Sequence, residues 1–211
     1  MCAASMAAAA IAAAADIIDM RVIDISQEVF ACRVYPGDPA PARQTLMSME
    51  NGDGYNLSAF SMCAHNGTHV DAPAHFIREG RTIEQMPLEV FVGLCYVWRG
   101  CGDVGAAEAA AVLQAAQGVQ RILLAGDVTV TAAGAGVFAA AGTKLLGNES
   151  QTVGPEDAPM EVHLILLSAE VCLLEGVVLR DVEEGEYLLS AAPLNLASCE
   201  GAPCRAILIK M

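Results

Sequence analysis

Aromatic residues and paired-cysteine motifs are scarce in this chain of 211 residues. Phe, Trp and Tyr together make up 5% of the sequence, whereas Gly occurs 19 times, so short strands and tight turns are favoured over a helical bundle. Eight cysteines are present, but no two are spaced as CxxC, which argues against a zinc ribbon or a thioredoxin-type motif. Because 55% of the residues are hydrophobic, one domain can bury a large core without disulfides. We therefore expect reduced, mostly buried cysteines.

Basic residues are also few. Lys and Arg number 11 against 25 Asp and Glu, which gives a formal net charge of −14. Such a surface repels nucleic acid and anionic membranes, so the sequence predicts neither as a partner.

The first twenty residues are alanine-rich and predict a helix over 1–20, because Ala has the highest helix propensity. This segment lacks the basic start of a secretory signal peptide, and its apolar run is shorter than the ~20 residues of a membrane span. We therefore expect a cytoplasmic protein with one folded domain over 21–211.

Hydrophobic patterning predicts alternating strands and helices in the rest of the chain. Predicted strands cover 21–26, 55–63, 90–98, 121–125, 143–146, 171–174, 187–192 and 205–209. Predicted helices cover 106–117, 131–141 and 155–167, and 34–39 is a proline- and glycine-rich turn. This order indicates a single α/β domain with a mixed sheet.

Three of the four histidines lie in one segment, at His65, His69 and His75, together with Asp71. All four positions are odd, so their side chains would point to one side of an extended chain. Imidazole and carboxylate are ligands of Zn²⁺, Mn²⁺ and related ions. Full extension would separate His65 from His69 by about 13 Å at ~3.3 Å per residue, so the chain should bend, most easily at Gly67.

A helical arrangement of the HExxH type would also bring His65 and His69 together. The residues between them are poor helix formers and Pro73 follows, so we favour a kinked strand.

The string HNGTHVDAPAHF at 65–76 resembles the signature of the cyclase-type metal hydrolases, which include bacterial kynurenine formamidase and isatin hydrolase. Weaker similarity continues in the family's order over about 21–210. The matching blocks are 24–26, 35–38, 86–88, 92–93, 144–147, 153–155, 175–179, 185–187, 192–194 and 201–206.

The resemblance implies a swivelling β/β/α fold with a mixed sheet, assembled as a homodimer or homotetramer. It also implies one or two Zn²⁺ or Mn²⁺ ions per chain. The implied metal ligands are His65, His69, Asp71, His163 and Glu175. His75 would be the general acid and base. Asp71 and Glu175 could bridge a second ion.

Two departures from the family pattern fall at the expected substrate pocket. Tyr35 stands where kynurenine formamidases typically have Trp against the aromatic substrate, and residues 148–152 replace the usual Ile-Asp-Thr-Pro-Ser. We expect a metal-dependent hydrolase of small amides with arylformamidase-like activity. The alternatives are a hydrolase of cyclic amides such as isatin and a catalytically silent metal-binding member.

Overall fold

The structure, a computed structural model, describes residues 20–210 as one mixed α/β domain. The strands are β1 Arg21–Asp24, β2 Ala42–Met47, β3 Leu57–Ser61, β4 His69–Asp71, β5 Val92–Arg99, β6 Gly102–Val104, β7 Arg121–Ala125, β8 Val128–Val130, β9 Leu145–Asn148, β10 Cys172–Glu175, β11 Gly185–Ser190, β12 Gly201–Pro203 and β13 Ile207–Lys210. The helices are α1 Ala106–Ala115, α2 Ala132–Ala140 and α3 Met160–Ser168.

A nine-stranded sheet in the order β1-β13-β11-β5-β7-β9-β10-β4-β12 organises the domain. Its middle strands β5, β7, β9 and β10 are parallel, and the outer strands pair antiparallel. Each parallel pair is joined through one of the three helices, as parallel pairing requires. The expected α/β domain with a mixed sheet is therefore confirmed.

Alternating side chains of the middle strands build two cores, one on each face of the sheet. Leu123 and Leu145 face a core that the curled outer strands and the segments after β4 and β10 enclose. Their neighbours Ile122 and Leu146 face the core beneath the three helices. Every residue of β7 is buried, which explains the apolar run that follows Arg121.

Most predicted elements are present within two or three residues of their predicted bounds. Strands β2, β6, β8 and β12 were missed, since three of them have only three residues and the fourth, β2, is exposed along its length except at its partly buried last residue. Strands β2 and β3 form a separate hairpin, and β6 pairs with β8.

The predicted start of the third helix at residue 155 was wrong, because α3 begins at Met160. Pro159 is the residue before the helix, and a proline disfavours helical backbone at the residue that precedes it. Residues 155–158 instead form a turn in which the Ala158 N–H donates to the Pro155 carbonyl.

The cysteines are less buried than expected. Among the seven described, Cys95 and Cys172 are buried, Cys101 is exposed and four are partly buried, all as free thiols. The alanine-rich helix predicted over 1–20 lies outside the described residues except for Met20. None of the described helices has the length and apolar character to cross a membrane.

Candidate metal centre

Strand β4 carries the middle of the histidine-rich segment into the sheet, between β10 and β12. His69 and Asp71 point to the same side because they are two residues apart, and each is 1% exposed. Val70 between them faces the core and is fully buried. The imidazole Nε2 of His69 lies 3.5 Å from Asp71 Oδ1.

The neighbouring elements add one carboxylate and one imidazole. Glu175 is paired with His69 in the β10–β4 ladder, which places its Oε2 3.5 Å from His69 Nε2. His163 lies on the buried face of α3, with its Nε2 3.4 Å from Glu175 Oε1 and 3.6 Å from Asp71 Oδ2. Residues about a hundred positions apart in the chain therefore meet at one point.

The bend expected before β4 is present at Gly67, whose φ of +66° lies in the left-handed region. It folds His65 back over the strand, so that the His65 and His69 ring centroids are 5.2 Å apart. His65 Nδ1 lies 2.8 Å from Asp71 Oδ1. The kinked chain thus brings both imidazoles to the same carboxylate.

His75 follows in a short 3-10 helix, Pro73–His75, at the rim of this group. Its ring stacks on His65 with centroids 4.1 Å apart, and its Nε2 lies 3.9 Å from Asp71 Oδ2. The side chain is 28% exposed, more than any of the other histidines. His75 therefore adjoins the buried group while it remains open to the cavity.

We call the five inner residues the ligand cluster. They are His65, His69, Asp71, His163 and Glu175. The cluster contains two sets of three ligand atoms within 4.8 Å of one another, and Asp71 belongs to both sets. The Nδ1 atoms of His69 and His163 are each 2.9 Å from a backbone carbonyl, which turns their Nε2 atoms toward the carboxylates. A hydrogen bond from the ring nitrogen that does not bind the metal commonly orients a metal-binding histidine.

The charges of the ligand cluster are strongly coupled. Burial by itself raises the pKa of Asp71, but His65 and His163 outweigh burial and hold that pKa well below its usual range. Burial by itself lowers the pKa of His65 and of His163, but the adjacent carboxylates raise them to about 9 and about 10. Two buried carboxylates thus require positive charge beside them, as protons or as a cation.

One buried atom favours the cation. Asp71 Oδ2 is buried and has no hydrogen-bond partner, although it lies among imidazole nitrogens. An unpaired buried carboxylate oxygen is costly, and a divalent ion would satisfy it. The donor set of imidazole nitrogens and carboxylate oxygens therefore fits a divalent metal.

A cavity of about 250 Å³ opens onto the ligand cluster. Its other lining residues are Tyr35, Asp38, Cys63, His75, Phe76, Gln151, Thr152 and Pro159. Tyr35 and Asp38 flank a tight turn in which the Asp38 N–H donates to the Tyr35 carbonyl and Gly37 has a φ of +100°. The Tyr35 hydroxyl donates to the backbone of Glu156, which fixes the ring at the cavity wall.

Sequence reasoning missed several residues of this site. Gln151 falls in the block that departs from the family pattern, so the departure itself was the signal. Glu200 lies 3.2 Å from His65 Nε2, and it directly precedes a block of family resemblance. Cys63 was interpreted as an ordinary buried residue, but it lines the cavity and its thiol donates to Asp38 at 3.7 Å.

Comparison with known proteins shows which relatives this chain resembles. Residues 22–150 match the Cyclase family model. The kynurenine formamidase of Erythrobacter litoralis (strain HTCC2594) is 31% identical, and the match covers 89% of this chain and 93% of that protein.

Solved structures show the same fold. A potential metal-dependent hydrolase with cyclase activity is 27% identical with a TM-score of 0.77, over 91% of this chain and 98% of that one. An isatin hydrolase bound to the product analogue thioisatinate is 15% identical with a TM-score of 0.79, over 100% of this chain and 99% of that one. The family match, the long formamidase alignment and the shared fold agree, and the chain belongs to the cyclase family.

Proposed function

We propose that this protein is a metal-dependent hydrolase that cleaves the carbon–nitrogen bond of a small aryl formamide at the ligand cluster. The observation that carries the proposal is the position of Asp71. Its two oxygens face different sets of ligand atoms, and Oδ2 is buried without a partner.

The ligand cluster would hold one or two divalent ions. His65 and His69 with Asp71 form one set, and His163 and Glu175 with Asp71 form the other. Nitrogen and oxygen donors suit Zn²⁺ or Mn²⁺, which remain the proposed ions. When bound, such an ion lowers the pKa of water to about 7 and polarises a carbonyl oxygen.

His75 is proposed as the general acid and base. It adjoins the ligand cluster without joining either set of ligand atoms, and its side chain reaches the cavity. The ring is held by stacking on His65 and by an edge contact with Phe76, whose centroid is 4.6 Å away. An imidazole so placed can take a proton from the attacking water and pass it to the leaving nitrogen.

The cavity suits a small aromatic amide. Its volume of about 250 Å³ is just below the ~300–1,000 Å³ that is usual for small-molecule sites, which favours a single-ring substrate. Tyr35 and Phe76 provide aromatic surface, and we propose that Tyr35 contacts the substrate ring. The similarity to a kynurenine formamidase supports a formyl group as the part removed.

A substrate that also carries an amino-acid group, such as N-formylkynurenine, matches this cavity less well. None of the cavity-lining residues in the described part of the chain is Lys or Arg, so an amino-acid carboxylate would find no ammonium or guanidinium partner there. A neutral formanilide meets no such difficulty. Formanilide is therefore the first substrate to assay, with N-formylkynurenine and isatin beside it.

The test compares the wild type with His69→Ala in metal content and in hydrolysis of these three amides. The wild type should hold one or two equivalents of metal and cleave formanilide, lose activity with a chelator and regain it with Zn²⁺ or Mn²⁺. If the wild type binds metal and opens the ring of isatin but cleaves neither formamide, the protein is a cyclic-amide hydrolase and not a formamidase. Metal without turnover of any amide would support a silent metal-binding protein, and no metal under any loading would refute the site.

We also infer that the protein assembles as a homodimer or homotetramer. The β2–β3 hairpin exposes apolar side chains, with Leu46 47%, Leu57 43% and Phe60 62% exposed, as a subunit contact would require. Light scattering of the wild type and of Phe60→Ser measures the subunit count, which should fall in the variant. The expected cytoplasmic location stays a prediction.

A further inference from the structure

We infer that Glu200, together with Gly201, positions His65 so that its Nδ1 atom serves as the metal ligand. This inference rests on the proposed function, because it concerns a ligand of the proposed centre. Glu200 belongs to neither ligand set and acts through the imidazole of His65, which it contacts. It is therefore a positioning residue.

His65 is oriented in the opposite sense to the other two histidines of the ligand cluster. His69 and His163 place Nδ1 against a backbone carbonyl and turn Nε2 toward the carboxylates. His65 instead places Nδ1 2.8 Å from Asp71 Oδ1 and turns Nε2 away, 3.2 Å from Glu200 Oε1. A side chain, not the backbone, thus decides which nitrogen of His65 is free.

The consequence follows from imidazole chemistry. A neutral ring carries one proton, and the nitrogen that binds a metal must be the unprotonated one. A carboxylate at Nε2 accepts a hydrogen bond from the protonated nitrogen and so keeps the proton there. This leaves the Nδ1 lone pair directed at the side of Asp71 where an ion would be shared. The same contact makes the ring a stronger ligand.

The backbone next to Glu200 holds the carboxylate in place. Strand β12 pairs with β4 so that Gly201 is opposite Asp71, and the Ala72 N–H donates to the Glu200 carbonyl at 2.8 Å. Glu200 is therefore tied to the strand that carries the ligands, although its side chain is 44% exposed.

Gly201 and His75 confine the His65 ring from two sides. A Cβ atom on Gly201 would lie 2.8 Å from His65 Cε1 and 2.8 Å from the Val70 carbonyl, so only glycine lets the ring approach the strand this closely. The His75 ring stacks on His65 with an angle of 25° between the planes. These contacts restrict ring flipping, and Glu200 selects the orientation.

The experiment uses the full chain and compares Glu200→Leu, Glu200→Gln and, as a charge-matched control away from the site, Glu186→Gln. Zn²⁺ affinity is measured by competition with a chromophoric chelator. Two-dimensional ¹H–¹⁵N spectra of the Zn²⁺-loaded protein report which nitrogen of His65 carries its proton. Thermal unfolding of the metal-free proteins shows whether each variant is folded.

We expect Glu200→Leu to bind one ion about 10- to 100-fold more weakly, which is the usual range when a metal-binding histidine loses its hydrogen-bond partner. Glu200→Gln should recover part of the loss, since its amide oxygen can accept from Nε2–H, and Glu186→Gln should match the wild type. The spectra should show His65 protonated on Nε2 in the wild type and in Glu200→Gln, and this signal should be lost in Glu200→Leu. Metal-free unfolding should be similar in all four proteins.

Two results would overturn the inference separately from the function. Unchanged Zn²⁺ affinity in Glu200→Leu, or a wild-type His65 protonated on Nδ1, refutes the role of Glu200 and leaves the hydrolase intact. A wild type that binds no Zn²⁺ and cleaves no amide refutes the proposed function, and the inference falls with it. If Glu200→Leu fails to fold, the Zn²⁺ affinities of Glu200→Gln and Gly201→Ala are compared with that of the wild type instead. Gly201→Ala displaces the His65 ring without changing charge, and unchanged affinity in both variants would refute the inference.

Discussion

The bend at Gly67 offers a sharp test of how the backbone builds the metal centre. Gly67 has a φ of +66°, and its carbonyl accepts from His69 Nδ1 and from Gln151 Nε2. An alanine there would have to adopt a left-handed conformation, which costs about 1–2 kcal/mol. Its Cβ would also lie 3.0 Å from the Cβ of Cys32, so either Cys32 or the bend at residue 67 must move by a few tenths of an ångström.

The matched control is Gly52→Ala. Gly52 is also left-handed, with a φ of +93°, but an added Cβ meets nothing within 4 Å. This variant should lose about 1–2 kcal/mol of stability from the backbone conformation alone. Gly67→Ala carries the same conformational cost and adds the clash, so we expect about 2–5 kcal/mol, since overpacking typically costs about 1–3 kcal/mol.

The two variants should differ more in metal binding than in stability. A shift of the Gly67 carbonyl releases His69 Nδ1 and moves His65, so the ligand set that these two histidines form with Asp71 loses its geometry. We expect at least tenfold weaker metal binding for Gly67→Ala and unchanged affinity for Gly52→Ala. Urea unfolding of the metal-free proteins and Zn²⁺ competition measure the two effects. Equal stability and equal affinity of the two variants would refute the reasoning.

Three further predictions concern other parts of the chain. His75→Ala should lower kcat about 10²- to 10⁴-fold while metal content stays near that of the wild type; loss of metal would make His75 a ligand instead. Asp38→Asn removes a carboxylate from the cavity wall and should raise kcat/KM for N-formylkynurenine relative to neutral formanilide, so an unchanged ratio would argue against charge repulsion there. Arg121 is 9% exposed and donates to the carbonyls of Glu89, Val90 and Leu94. Because Arg121→Met leaves these carbonyls unpaired, we expect urea unfolding to show a loss of about 2–4 kcal/mol in stability, with kcat unchanged. Stability equal to that of the wild type would contradict this prediction.

Much of the fold could be read from apolar patterning. Strand β7 is buried on both faces and appears in the sequence as a short apolar run after Arg121, and its predicted bounds are those observed. The exposed strand β2 has no such pattern, because pairing in the hairpin rather than burial holds it. Helix α3 was placed too early because acidic residues after Pro155 imitate a helix start, whereas Pro159 delays it.

The local sequence determined the part of the site that lies within one short segment. Alternation along β4 places His69 and Asp71 on one side, and Gly67 permits the bend that returns His65 to them. These are consequences of backbone geometry over a few residues, and no distant part of the chain is needed to predict them.

Only the tertiary structure decided which distant residues complete the centre. His163 on α3 and Glu175 on β10 reach Asp71 because the crossover from β9 through α3 places β10 where it pairs antiparallel with β4. Without the family resemblance, each of the two would pass for an ordinary core residue. The orientation of His65 depends on Glu200, more than a hundred residues away, through the pairing of β12 with β4. Sheet order and register arise from the packing of the whole domain, so no local pattern in the chain encodes these contacts.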